Sequence, residues 1–113
     1  MGVGRIGTHH ARTIAEEVKG VELVVLADPI APHLEELAAE LGVPDTVRDP
    51  FAIAQDETID AVVITAPAAN HVELIRAFAA AKKHIFTEKP IATNVAYAKA
   101  AGAAAQAAGI LFH

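Results

Sequence analysis

The chain has 113 residues, of which 53% are hydrophobic; that is enough for the core of one globular domain and too apolar for a disordered chain. Its net charge of -5 comes without a cluster of Lys or Arg, and aromatics make up only 4%, so neither a phosphate-backbone footprint nor base-stacking platforms are present and nucleic acid is not an expected partner. There is no cysteine for a disulfide framework or thiolate metal centre, no apolar run near the ~20 residues that cross a bilayer, and no signal-peptide pattern, so the chain reads as soluble and cytoplasmic, without a membrane partner.

Gly2-Val3-Gly4-Arg5-Ile6-Gly7 is a G-x-G-x-x-G pattern with only Met1 before it. In folds that use this fingerprint, the glycines form the turn from a buried parallel strand into a helix whose amides hold a pyrophosphate. One residue cannot supply that strand, so the first strand of the sheet is expected to be missing. Ile6 to Val18 has helical spacing and stops at Gly20. Val21 to Asp28 is a β-branched apolar run with too little alternation for a half-exposed strand, and it ends in an acid. After Pro29 and Pro32, Leu34, Leu37, Ala38 and Leu41 form a helical stripe ending at Gly42. A minor strand is expected around Thr46 to Arg48, and a brief helix over Pro50 to Gln55.

Asp60 to Thr65 reads as a second buried strand, closed by Ala66-Pro67, with Asn70 placed to cap a helix over His71 to Ala81. Lys82 and Lys83 suit that helix's C-terminal dipole. His84 to Thr87 is a third strand leading into Glu88-Lys89-Pro90. Asn94 caps an alanine-rich helix, Val95 to Ala108, stopped by Gly109, and Ile110 to His113 is a last strand cut short by the chain end. Strands alternating with helices predict an α/β fold, a doubly wound parallel sheet of Rossmann type, in one partial domain over residues 1–113.

The glycine pattern gains meaning from Asp28, which lies 21 residues beyond Gly7 at the end of the next strand, where a ribose-binding acid belongs. Gly2 permits the tight turn, Gly4 lets backbone approach the pyrophosphate, and Gly7 lets helix and strand pack closely. The competing explanation is an ordinary α/β turn followed by a solvated aspartate. A carboxylate at position 28 accepts ribose hydroxyls and repels a 2′-phosphate, which favours NAD; NADP stays open because Arg48 could approach. His9 and His10 point about 100° apart on a helix, so a shared metal is not expected, and no metal site is assigned.

The series from Gly2 to Ala11, then Ala27-Asp28-Pro29, then Asp60-Ala61-Val62 with Ala66-Pro67-Ala68-Ala69-Asn70-His71, then Glu88-Lys89-Pro90, resembles the N-terminal domain of the glucose-fructose oxidoreductase and inositol dehydrogenase family (Gfo/Idh/MocA) along the whole chain. Members are NAD(P)-dependent oxidoreductases of sugars, cyclitols and related polyols, with a C-terminal substrate domain, and the resemblance implies a homo-oligomeric parent. It also implies an Asp-x-x-x-His catalytic pair in that downstream domain, so that the chain by itself binds a dinucleotide and turns over nothing. Lys89 matches the family's lysine beside the nicotinamide, where an ammonium supports developing alkoxide character. Glu88 matches a residue that contacts the cofactor end or orients the lysine, and Pro90 shapes the turn, a cis bond being one way to do so. His10 matches the family's histidine after the loop. His71 matches one near the cofactor, with contact to cofactor or substrate set against capping or packing. Thr65, Ala66 and Pro67 end a central strand at the same edge, and Arg5 either flanks the phosphates or is solvated. A non-catalytic dinucleotide-binding or redox-sensing module would share the loop and Asp28 but not need Glu88-Lys89-Pro90. A methyltransferase-like nucleoside binder lacks support because there is no aromatic adenine clamp.

Overall fold

The computed structural model describes residues 1–113. The glycine turn opens directly into α1 (Arg5–Glu17), whose inner face buries Gly7 and Ala11. The chain then forms β1 (Val25–Ala27), α2 (Leu34–Leu41), β2 (Asp45–Val47), a 3-10 turn (Pro50–Gln55), β3 (Ala61–Ile64), α3 (Ala68–Ala80), β4 (His84–Thr87) and α4 (Val95–Ala108). Strands β1 and β2 pair in parallel, Val25 opposite Asp45, and β3 pairs in parallel with β4, Ala61 opposite His84. Each parallel pair is joined by a helix, as βαβ units require.

The two half-sheets face each other across a groove, and the backbone hydrogen bonds that bridge it come from the first residues. Met1 O accepts from Thr65 N at 2.8 Å, the Met1 amine donates to Val63 O, and Gly2 N donates to Ala27 O at 2.8 Å. The groove, about 140 Å3, is lined by Val24, Val25 and Leu26 on one side and Ala61, Val62 and Val63 on the other. This is the place of a central strand in the expected sheet, and no further strand occupies it. The run from Val21 is a strand only from Val25, and Val21 is 56% exposed.

Two clusters form the core, and the larger one joins the half-sheets through Ala27 of β1, with Val24, Val25 and Val47 packed against it. Ile64, Leu74, Ile75 and Phe78 pack with Ile85 and Ala101 between β3, β4, α3 and α4, while Val3, Leu26, Leu34, Leu37 and Val43 pack under α1 and α2. The small side chains of α4 explain its close approach: Ala101 and Ala105 are fully buried, and Asn94 caps its first turn by accepting from Tyr97 N at 2.9 Å.

Three expectations change in detail. Asn70 lies inside α3 rather than at its cap; Pro67 takes that position and no side chain caps the helix. Lys82 and Lys83 leave α3 and reach elsewhere, Lys82 Nζ donating to Ala108 O at 2.9 Å at the carbonyl end of α4, and the buried Lys83 to Asp56 O. The last strand is a single bridge, Phe112 with Ile85, extended by hydrogen bonds from Ile85 N to Leu111 O and Thr87 N to His113 O. No helix is long and apolar enough to cross a membrane.

Candidate dinucleotide site

Two glycines hold the turn together by close contact. A Cβ on Gly7 would stand 1.8 Å from Gly2 O, and one on Gly2, whose φ is +86°, would stand 2.7 Å from Ala66 N. Gly4 has nothing within 4 Å of an added Cβ, so its backbone faces open space, and no side chain caps α1. The first-turn amides of α1 are thus offered to whatever lies in front of them, which fits an anion at the positive end of the helix. Thr65 fixes the turn from β3, its Oγ1 donating within reach of both Met1 O (2.8 Å) and Gly2 O (2.6 Å). From the other side Thr8 Oγ1 and His33 Nε2 stand 3.0 and 2.9 Å from Val3 O.

In front of this turn lies a cleft of about 1010 Å3. It gathers Gly2, Gly4, Arg5 and Ile6 from the loop, Asp28 from the end of β1, and Thr65, Ala66, Pro67 and Asn70 from the β3–α3 turn. Ile6 is 43% exposed, an apolar surface on the cleft side. The cleft lies at the C-terminal ends of β1 and β3, where the two halves diverge, the usual place for a ligand in an open α/β sheet.

Asp28 is buried at the cleft wall. Its Oδ2 accepts from Val3 N at 2.9 Å, and its Oδ1 from Ile30 N at 2.9 Å and Ala31 N at 2.8 Å. Burial alone would raise its pKa, but these backbone donors, with His33 nearby, outweigh it and hold the carboxyl below the usual range. A carboxylate has about four acceptor sites, so one remains for a hydroxyl in the cleft. Arg48 does approach: its Nη1 donates to Ala31 O at 2.7 Å, while Nη2 is bound by both oxygens of Glu35 at 2.6 and 2.7 Å. Its charge is therefore already matched beside Asp28. Nothing in the spacing of the sequence could have paired Arg48 with Glu35.

Glu88, Lys89 and Pro90 form the turn after β4 and do not line the cleft itself. The Lys89-Pro90 bond is cis, Lys89 is exposed, and its ammonium has no protein partner. Glu88 is held at both oxygens: Oε1 lies 2.7 Å from His10 Nε2 and Oε2 accepts from Lys89 N at 3.2 Å. The hydrogen bond from His10 keeps the Glu88 carboxyl below its ordinary range. His10 also packs edge-on against Phe86, with ring centres 5.7 Å apart. That α1 reaches across to the lysine turn is invisible in the sequence, because the two residues are 78 positions apart. His71 is 1% exposed, with both ring nitrogens on backbone carbonyls, which leaves neither free for a ligand. No group of three His, Cys, Asp or Glu is placed to hold a metal.

A glycine turn at a helix start, an acid closing the next parallel strand, and a cleft between them define a dinucleotide-binding domain of Rossmann type. The chain belongs to the Gfo/Idh/MocA oxidoreductase family, whose NAD-binding Rossmann-fold model matches residues 1–113. It is 35% identical over 111 residues to the NAD(+)-dependent scyllo-inositol 2-dehydrogenase of Bacillus subtilis, covering 98% of this chain and 32% of that protein. With the myo-inositol 2-dehydrogenase of Thermotoga maritima it shares 38% identity over 96 residues, 85% of this chain and 28% of the relative. The crystal structure of scyllo-inositol dehydrogenase from Lactobacillus casei with NAD(H) and scyllo-inositol superposes with a TM-score of 0.91 at 32% identity, over 99% of this chain and 33% of the other. The chain thus spans about a third of the length of the relatives it matches.

Proposed function

We propose that this chain is the cofactor-binding part of an NAD-dependent dehydrogenase that oxidises a secondary alcohol of a cyclitol or related polyol, inositol being the favoured substrate class. The observation that carries it is the gathering of the glycine turn and Asp28 in one cleft at the C-terminal ends of β1 and β3, with the Lys89 turn following the parallel strand β4, in a chain similar to inositol dehydrogenases. Bound NAD would supply the hydride acceptor. The open amides of α1 and Gly4 hold the pyrophosphate, and Arg5 adds charge beside it. Asp28 accepts an adenosine ribose hydroxyl and, with Arg48 already neutralised by Glu35, disfavours a 2′-phosphate. Thr65, Ala66, Pro67 and Asn70 shape the floor toward the nicotinamide.

Lys89 is the catalytic residue of the reading: an exposed, unpaired ammonium donates to the substrate oxygen and stabilises the charge that develops as the alcohol is oxidised. Glu88 orients that lysine through its own bond to Lys89 N. In this reading a base from the substrate domain takes the hydroxyl proton, the enzyme assembles from identical subunits, and it works in the cytoplasm.

The test has two parts. Titration of the chain with NADH should give saturable fluorescence enhancement, weaker by an order of magnitude or more for NADPH, since a 2′-phosphate would face Asp28 at close range. In a protein that also carries the substrate domain of the relatives, Lys89→Ala should lower kcat with NAD and scyllo- or myo-inositol by ~10²-fold or more while cofactor affinity changes little. A normal kcat in that variant would remove Lys89 from the mechanism.

A further inference from the structure

His71 sits in the first turn of α3, 1% exposed, with Nδ1 2.9 Å from Pro90 O and Nε2 2.7 Å from Ala66 O. Both neighbours are acceptors. A neutral imidazole carries one hydrogen and can donate to only one of them; its other nitrogen then presents a lone pair to a carbonyl oxygen at hydrogen-bond distance. Only the imidazolium, with a hydrogen on each nitrogen, satisfies both. Two features oppose that charge: burial, and the positive end of the α3 dipole. The geometry thus admits two distinct arrangements: a ring with a hydrogen on each nitrogen that bridges both carbonyls, and a neutral ring bonded to one of them.

The two carbonyls belong to the two turns that matter for the site. Ala66 lines the dinucleotide cleft, and Pro90 follows Lys89 across the cis bond. We propose that His71 is a positioning residue whose protonated ring clamps the Lys89-Pro90 turn to the Ala66 turn, and that loss of the proton releases one arm and lets the lysine shift relative to the cleft. The consequence for Lys89 rests on the function proposed above; the clamp itself does not.

Other charges on the surrounding elements do not replace this proton. Glu88 and Lys89 lie in the clamped turn, Glu88 being engaged by His10, and Glu73 and Arg76 lie further along α3. Lys83 is bound to Asp56 O beside the 3-10 turn, which Asp49 caps, and Asp60 precedes β3. His84 on β4 accepts from Leu111 N, and Tyr97 and Lys99 lie on α4. None forms an ion pair with His71.

The chain can be tested directly by heteronuclear NMR of the His71 ring nitrogens and of the Ala66 and Pro90 carbonyl carbons as pH is raised from mildly acidic to mildly alkaline. Both nitrogens should carry hydrogen at the acidic end, one should lose it on titration, and a carbonyl shift should follow with the same midpoint. A ring that never titrates, or carbonyl shifts that do not follow it, overturns the clamp. As a second readout, wild-type affinity for NADH should weaken by roughly three- to tenfold with rising pH, the worth of about one hydrogen bond. His71→Phe fills the space but cannot donate and should remove that part of the pH profile; an unchanged profile in the variant also overturns the proposal. If the wild-type chain bound no NADH, the dinucleotide assignment would fall, while the ring titration would still decide the clamp.

Discussion

At the scale of single residues, the site depends on groups whose freedom the fold has removed. Asp28→Ala takes the acceptor away from three backbone donors, Val3, Ile30 and Ala31, and leaves the buried amides of Val3 and Ala31 unpaired. It should lower stability by about 1–3 kcal/mol and weaken NADH binding, as read by chemical denaturation and fluorescence titration. Because the Asp28 carboxyl is held below its ordinary range, its stabilisation is present above the unfolded value and is lost as pH falls through the folded one; the Asp28→Ala variant should lack that acid-side loss. Gly7→Ala is a test of contact rather than charge. Its Cβ would meet Gly2 O at 1.8 Å, an overlap only a shift of α1 away from the turn can relieve. Such overpacking should cost about 1–3 kcal/mol or more and abolish NADH binding even where a folded fraction survives in circular dichroism. For His10 the expected outcome is different: His10→Ala frees Glu88 Oε1, so it should raise the Glu88 carboxyl toward its ordinary value, measurable by NMR, while leaving the Asp28 end of the cleft unchanged.

At the scale of elements, the groove between β1 and β3 dominates. Backbone edges on both sides pair only with Met1 and Gly2, and the Met1 amine is buried at the end of the groove. Burial, partly offset by attraction to Asp28, lowers that amine from 8.0 to about 6. Between those values the unfolded chain binds a proton that the folded chain refuses. Stability should therefore rise as pH goes from about 6 to 8, by about 2–3 kcal/mol in total, in denaturant titrations at several pH values. A chain lengthened ahead of Met1 by five β-branched residues should lose this dependence, because its residue 1 nitrogen becomes an amide.

At the scale of the whole molecule, two half-sheets meet along the cleft, Ala27 of β1 joins the core under β3 and β4, and the ligand site spans the seam. The alternation of buried runs with amphipathic stretches made the α/β order, the parallel pairing and the helix at Gly4 readable from residues alone, because burial on both faces requires apolar runs whatever lies beside them. The glycine turn was readable for a similar reason, because its close contacts are set by local backbone geometry, whereas the role of the Glu88-Lys89-Pro90 turn came from the family resemblance and not from the tripeptide itself. Partnerships over long separations were not. His10 with Glu88, Arg48 with Glu35, and His71 between Ala66 and Pro90 arise only when strands bring distant segments to one edge, and no periodicity encodes them. The sequence by itself thus determined the kind of fold and the ligand class, through patterns that each segment carries alone. Tertiary structure alone decided which side chains hold the lysine turn and which are left facing the cleft, because those roles depend on proximity in space and on burial.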